Sequence, residues 1–127
     1  MGIKSDYKVA VVNTTNNDSV ITVASGQSTS SILSCGGTSP TGLFLPSNFT
    51  SGNITFNVCK TPDGNFVPVT NFDGSAFAVA GVADKFIPLL PSMFNSVLYL
   101  QLSFSAPQAS DVIIDVALCP IYQGVHA

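Results

Sequence analysis

Residues 96–120 alternate twice between apolar and polar side chains with a period of two, and few folds accommodate that pattern. Leu98, Leu100, Leu102 and Phe104 fall on one face of an extended segment, while Val97, Tyr99, Gln101 and Ser103 fall on the other. After the turn-forming run Ser105-Ala106-Pro107-Gln108-Ala109-Ser110 the alternation resumes, with Val112, Ile114, Val116 and Leu118 opposed by Asp111, Ile113, Asp115 and Ala117. Two such runs on a short connection predict an antiparallel hairpin with one buried face. Burying an aliphatic or Phe side chain stabilises by roughly 1.5–3 kcal/mol, so these eight inward positions form the densest apolar contribution in the chain.

The remaining chain is punctuated in the same way. Strands are predicted at residues 19–24, 29–34, 43–46 and 53–59, the last with Ile54, Phe56 and Val58 inward and Thr55 and Asn57 outward. Residues 36–42 read as a flexible connection. No Lys follows this glycine-rich run and no helix opens there, which excludes a phosphate-binding loop. Pro62-Asp63-Gly64-Asn65 is a tight-turn signal, from which a hairpin returns through Phe66-Val67-Pro68-Val69. Pro68 and Pro88 cannot donate to a ladder, so their segments belong at sheet edges. Pro91-Ser92-Met93-Phe94-Asn95 predicts one helical turn that places Phe94 at the end of the core. The pattern is that of an all-β, antiparallel two-sheet sandwich of jelly-roll or immunoglobulin-like type, with 8–10 short strands. It is expected to occupy residues 19–120, preceded by a strand or arm over residues 1–18 and followed by a tail over residues 121–127.

Charged residues make up 9% of the 127, far below the ~25% usual in soluble proteins, while 46% are hydrophobic and neither Glu nor Arg occurs. Such a surface predicts burial against like subunits or a larger assembly. Four lysines and a net charge of −3 disfavour nucleic acid and anionic membranes as partners. Residues 7–12 are too short, and Lys8 interrupts them, for the apolar core of a signal peptide, so synthesis in a cytosol is expected. Cys35, Cys59 and Cys119 are odd in number and lack paired spacing, which argues against a disulfide framework or zinc site.

Catalytic chemistry has little to draw on. His126 is the only histidine and lies one residue from the end of the sequence. Asp63 and Asp73 each precede glycine and are expected to stabilise turns, since calcium needs several convergent oxygens. Asp111 and Asp115 read as solvated charges that keep an outer strand face from aggregating. No catalytic residue, metal site, cofactor or small-molecule substrate is predicted. The candidate interaction patch is Val97, Tyr99 and Ile113, read first as a protein contact and second as a platform for a carbohydrate.

Several motifs occur in an order that resembles a family of small virion proteins of tailed bacteriophages, head decoration or cement proteins and related subunits. They are Ser25-Gly26-Gln27-Ser28, Leu43-Phe44-Leu45-Pro46, Ile54-Thr55-Phe56, Asp63-Gly64, Phe86-Ile87-Pro88-Leu89, Tyr99-Leu100-Gln101-Leu102 and a last strand ending at Pro120. The likeness covers about three quarters of the chain. Many relatives carry a tryptophan after the Asp-Gly turn, where this chain offers Phe66. The resemblance implies a non-enzymatic homo-oligomer, a trimer by preference. It would be made in the host bacterial cytoplasm and sit on the capsid surface, binding the major capsid protein lattice through multivalent contacts. A carbohydrate-binding jelly roll and a tail or fibre component are the alternatives.

Overall fold

A computed structural model of the protein describes residues 19–94 and 97–120. The predicted arm over residues 1–18, the tail over residues 121–127 and His126 lie outside the described residues. Nine strands are described: β1 (Val20–Val23), β2 (Thr29–Ser34), β3 (Thr38–Phe44), β4 (Gly52–Cys59), β5 (Val67–Pro68), β6 (Ala78–Gly81), β7 (Phe86–Pro88), β8 (Tyr99–Phe104) and β9 (Val112–Pro120). One helical turn, α1 (Pro91–Phe94), precedes β8.

The strands form two antiparallel sheets, ordered β1-β9-β3-β7 and β2-β8-β4-β5, with β6 also on β4. Their pairings are nested. β1 pairs β9, β2 pairs β8, β3 pairs β7, and β4 pairs both β5 and β6, so the chain is one long hairpin rolled over a common core. Alternate pairs fall in alternate sheets, and β9·β3 and β8·β4 pairings join them. This winding is the jelly roll and not the immunoglobulin arrangement.

The nested winding overturns the predicted hairpin of residues 96–120. β8 and β9 belong to different sheets and face each other across the core, and residues 105–111 cross from one sheet to the other. Periodicity fixes which side of a strand is buried but is blind to which strand it pairs with. Six of the eight predicted inward residues are buried, and Leu118 is half-buried. Leu98 is instead exposed, because β8 begins only at Tyr99 and Val97 already takes the core side.

Residues 38–42 likewise belong to β3 and not to a flexible connection. A glycine turn, with Gly37 at φ 78°, feeds this strand, and a bulge between Pro40 and Gly42 accommodates a proline that lies beyond the stretch paired with β7. β4 and β5 pair as predicted, but Gly64 does not adopt the positive φ of a two-residue turn; the intervening chain closes through Gly64 N–H to Thr61 O. Pro68 and Pro88 lie on outermost strands, as their missing donors require. Phe94 closes one end of the core, fully buried against Phe56 and Phe77.

The other end is held by polar groups. Gly26, at φ 83°, and Gln27 exchange backbone hydrogen bonds with Gln108, and the Ser25 N–H donates to the Asp111 carboxylate at 2.9 Å. Asn48 donates to the Asp111 carbonyl at 2.8 Å. The Ser25-Gly26-Gln27-Ser28 turn, the loop after β3 and the β8–β9 crossover are thereby clasped into one unit.

Candidate interaction surface

Residues that alternate with the core form two outer faces of opposite character. On the four-stranded sheet, Val20, Asp115, Phe44 and Phe86 occupy one row across four strands, flanked by Thr22 with Ile113 and by Ala117, Gly42 and Pro88. Ile113 is 60% exposed, Phe44 51% and Phe86 46%. The Phe44 and Phe86 rings lie 4.6 Å apart, and Phe86 reaches over Gly42, where a Cβ would stand 2.1 Å from its ring. Gly42 thus supplies the floor on which an aromatic side chain lies flat. Asp115 is the one charge in these three rows, and among the described residues it makes no side-chain hydrogen bond or ion pair.

The outer face of the five-stranded sheet is neutral and polar. Ser34, Tyr99 and Cys59 share a row, as do Ile32, Gln101 and Asn57. Asn57 donates to Ser103 Oγ at 2.9 Å and Gln101 to the Ser30 carbonyl at 3.1 Å, so part of this surface is satisfied internally. Buried Ser30 fills the bulge in β2, accepting the Leu102 N–H at 2.9 Å.

The three residues of the predicted patch are therefore not brought together. Val97 packs against the core, Tyr99 lies half-buried on the outside of the five-stranded sheet, and Ile113 lies on the outside of the other. A shared face for Tyr99 and Ile113 requires a hairpin that the crossover replaces, and Val97 lies before β8 begins and takes the core side. Phe44 and Phe86, which the sequence reading left unassigned, carry a legible signal: each alternates with an inward neighbour, Leu43 and Ile87.

A second apolar feature stands at the end of the sandwich that α1 closes. Phe72 is 98% exposed on the turn between β5 and β6 and, with Asn71, Leu90 and Met93, lines an open cleft. The turn is tied down. Asn71 N–H donates to Ser75 O, Gly74 N–H to Asn71 O, and both the N–H and the hydroxyl of Ser75 donate to the Asp73 carboxylate at 2.9 and 2.7 Å. The Ser75 hydrogen bonds hold the Asp73 carboxyl below the usual carboxylate range. Phe72 is therefore presented by a pre-formed turn, which reduces the ordering cost of any contact it makes.

Among the described residues no three His, Cys, Asp or Glu side chains gather as metal ligands, and no helix is long and apolar enough to cross a membrane. Asp111 is engaged in the clasp, and Asp73 in its turn. Burial pushes the Cys35 thiol up to about 11, which makes it a packing residue and not a nucleophile. No family model, curated protein or solved structure matches the chain.

Proposed function

We propose that the protein is a non-enzymatic structural subunit of a tailed-bacteriophage virion, a decoration or cement protein that binds the major capsid protein lattice as a homotrimer and stabilises the head. The observation that carries the reading is Phe72, a large aromatic side chain held 98% exposed on a hydrogen-bonded turn beside an apolar cleft. Buried aromatic anchors dominate protein interfaces, and a rigid one loses little entropy on docking. The weakly charged composition, and an order of strand motifs that resembles that of phage virion proteins, support the same reading. Jelly rolls serve both capsid and lectin proteins, so the winding alone does not choose between them.

Sedimentation of the purified protein, alone and with heads of its phage lacking it, tests the proposal. An oligomer that loads onto heads to a fixed copy number is expected. A strictly monomeric species that fails to bind heads would refute it. A second reading, binding of a neutral glycan, has support in the uncharged, amide-bearing face around Tyr99. Saturable glycan binding lost in Tyr99→Ala would favour that alternative.

A further inference from the structure

Among the described residues, four of the five outer strands carry a feature that blocks further pairing. The Thr22 N–H on β1 donates to Ser31 Oγ at 3.0 Å, β2 is interrupted by its bulge, and β5 and β7 contain Pro68 and Pro88. β6 has neither proline nor bulge, and residues 74–83 around it contain no charged side chain. We infer that β6 is an open edge that pairs with β6 of a second copy of the chain.

The direction of its backbone groups follows from β4. Asn53 turns towards β8: its carbonyl accepts the Ser105 N–H at 2.9 Å and its N–H donates to Ser105 Oγ at 2.8 Å. Phe56 turns its carbonyl the other way, to the Val69 N–H at 2.8 Å. Backbone groups alternate in direction along a strand, so Ile54 faces β6 and exchanges its hydrogen bonds with Val79, its register partner. Ala78 and Ala80 therefore direct their N–H and carbonyl groups away from β4, the one strand that β6 pairs with among the described residues. Both alanines are exposed.

This pattern is its own complement, which is what selects a second copy as the occupant. Free groups at positions 78 and 80 flank Val79 symmetrically. An antiparallel copy related by a two-fold axis at Val79 sets each Ala78 opposite the partner's Ala80, and each such pair exchanges both its hydrogen bonds. The side chains that meet on the outer face are alanines, too small to clash. On the inner face the two half-buried Val79 side chains come to within about 4.5–5.5 Å at Cβ and extend the apolar layer from one copy to the next. With no charge in residues 74–83, the stretch meets its own copy without like-charge repulsion. So short a contact is weak and concentration-dependent in solution. Being two-fold, it is separate from the three-fold contact of the proposed homotrimer and would link one trimer to another, where repetition over a lattice raises its avidity.

Amide hydrogen exchange of the isolated full chain, followed residue by residue at millimolar and micromolar concentration, tests the inference. The Ala78 and Ala80 amides are expected to exchange at least about tenfold more slowly in the concentrated sample, while the Val79 amide, bonded to β4, is slow in both. Ala80→Pro removes only an outward donor, so it should keep the circular dichroism spectrum and lose the concentration-dependent protection of Ala78. Val79→Cys, made together with Cys59→Ser and Cys119→Ser, is expected to give a disulfide-linked dimer, because the paired Cα atoms would stand about 4.5 Å apart. Fast exchange at Ala78 and Ala80 at every concentration would overturn the inference. Protection without that disulfide would overturn it too, by assigning the edge to a different segment. Both results are read on the isolated protein, so they are independent of whether it binds phage heads.

Discussion

The side-chain amide of Gln108 pairs with both backbone polar groups of Thr50: its Oε1 accepts the Thr50 N–H at 2.8 Å and its Nε2 donates to the Thr50 carbonyl at 3.3 Å. Gln108 is 1% exposed, and its own backbone binds the Ser25-Gly26-Gln27-Ser28 turn. One residue therefore substitutes for a strand partner at the open end of the roll, where the crossover between sheets leaves backbone groups without a ladder.

Replacing Gln108 by Ala leaves the N–H and carbonyl of half-buried Thr50 without their partner, each at a cost of about 1–3 kcal/mol where water does not replace the bond. Gln108→Ala is expected to destabilise the fold by about 2–4 kcal/mol, read as a lowered denaturation midpoint in urea. Gln108→Glu keeps the acceptor but sets a carboxylate against the Thr50 carbonyl. It should be destabilised as well, and more at neutral pH than at pH values where the carboxyl is protonated.

Two glycines separate overpacking that can relax from overpacking that cannot. A Cβ at Gly42 meets only the Phe86 ring, which is half-exposed and free to swing outward. A Cβ at Gly81 meets Phe49, the Gly52 carbonyl and Ile54 at 2.8 to 2.9 Å, all fixed in the core or backbone. Gly81→Ala should cost about 1–3 kcal/mol and Gly42→Ala less than about 1. Combining Gly42→Ala with Phe86→Ala should remove most of the Gly42 penalty, as a double-mutant cycle of unfolding free energies would show.

What was legible in the sequence follows the same division between local and long-range physics. The inward faces of β4, β8 and β9 could be read from alternation, because side-chain direction depends only on the residue's own extended backbone. Pro68 and Pro88 announced edges, because a missing donor is a local property. The partner of β9 was not legible: Asp115 sits between Val20 and Phe44, residues far apart in the chain, and nothing within residues 105–111 distinguishes a hairpin from a crossover until Gln108 is seen to bind Thr50. Ile113 parts from Tyr99 for that reason, Val97 parts from it because it precedes β8 and turns to the core, and the Phe44–Phe86 pair went unassigned because it forms only when β7 docks on β3.

Cys35 makes stability depend on alkaline pH. Its thiol is pushed up to about 11 by burial, from about 9 when solvated. Above the lower value the unfolded chain releases a proton that the folded chain retains, so stability is fully present below about 9 and is lost as pH rises towards about 11. Unfolding midpoints across this range should fall in the wild-type protein and flatten in Cys35→Ala, apart from slopes common to both. In the native state, exposed Cys119 should react with a thiol reagent well before Cys35.

Phe72 separates folding from binding. Because it is 98% exposed, Phe72→Ala removes almost no buried surface and should leave the thermal midpoint unchanged. If the turn is the partner-facing anchor, the same substitution should weaken association with phage heads at least about tenfold, the loss typical of a central aromatic anchor. Asp73→Ala offers the complementary test. It removes the acceptor for two Ser75 hydrogen bonds while leaving Phe72 in place, so the anchor is retained but no longer held in position. Binding should weaken less than in Phe72→Ala, with the deficit in the association rate as well as in residence time. Acidification should mimic Asp73→Ala: the depressed carboxyl keeps the turn closed above the usual carboxylate range and releases it as pH falls through its lowered value. Surface plasmon resonance of immobilised heads against both variants, over a descending pH series, would read all three effects, and wild-type binding by Phe72→Ala would exclude the turn as the contact.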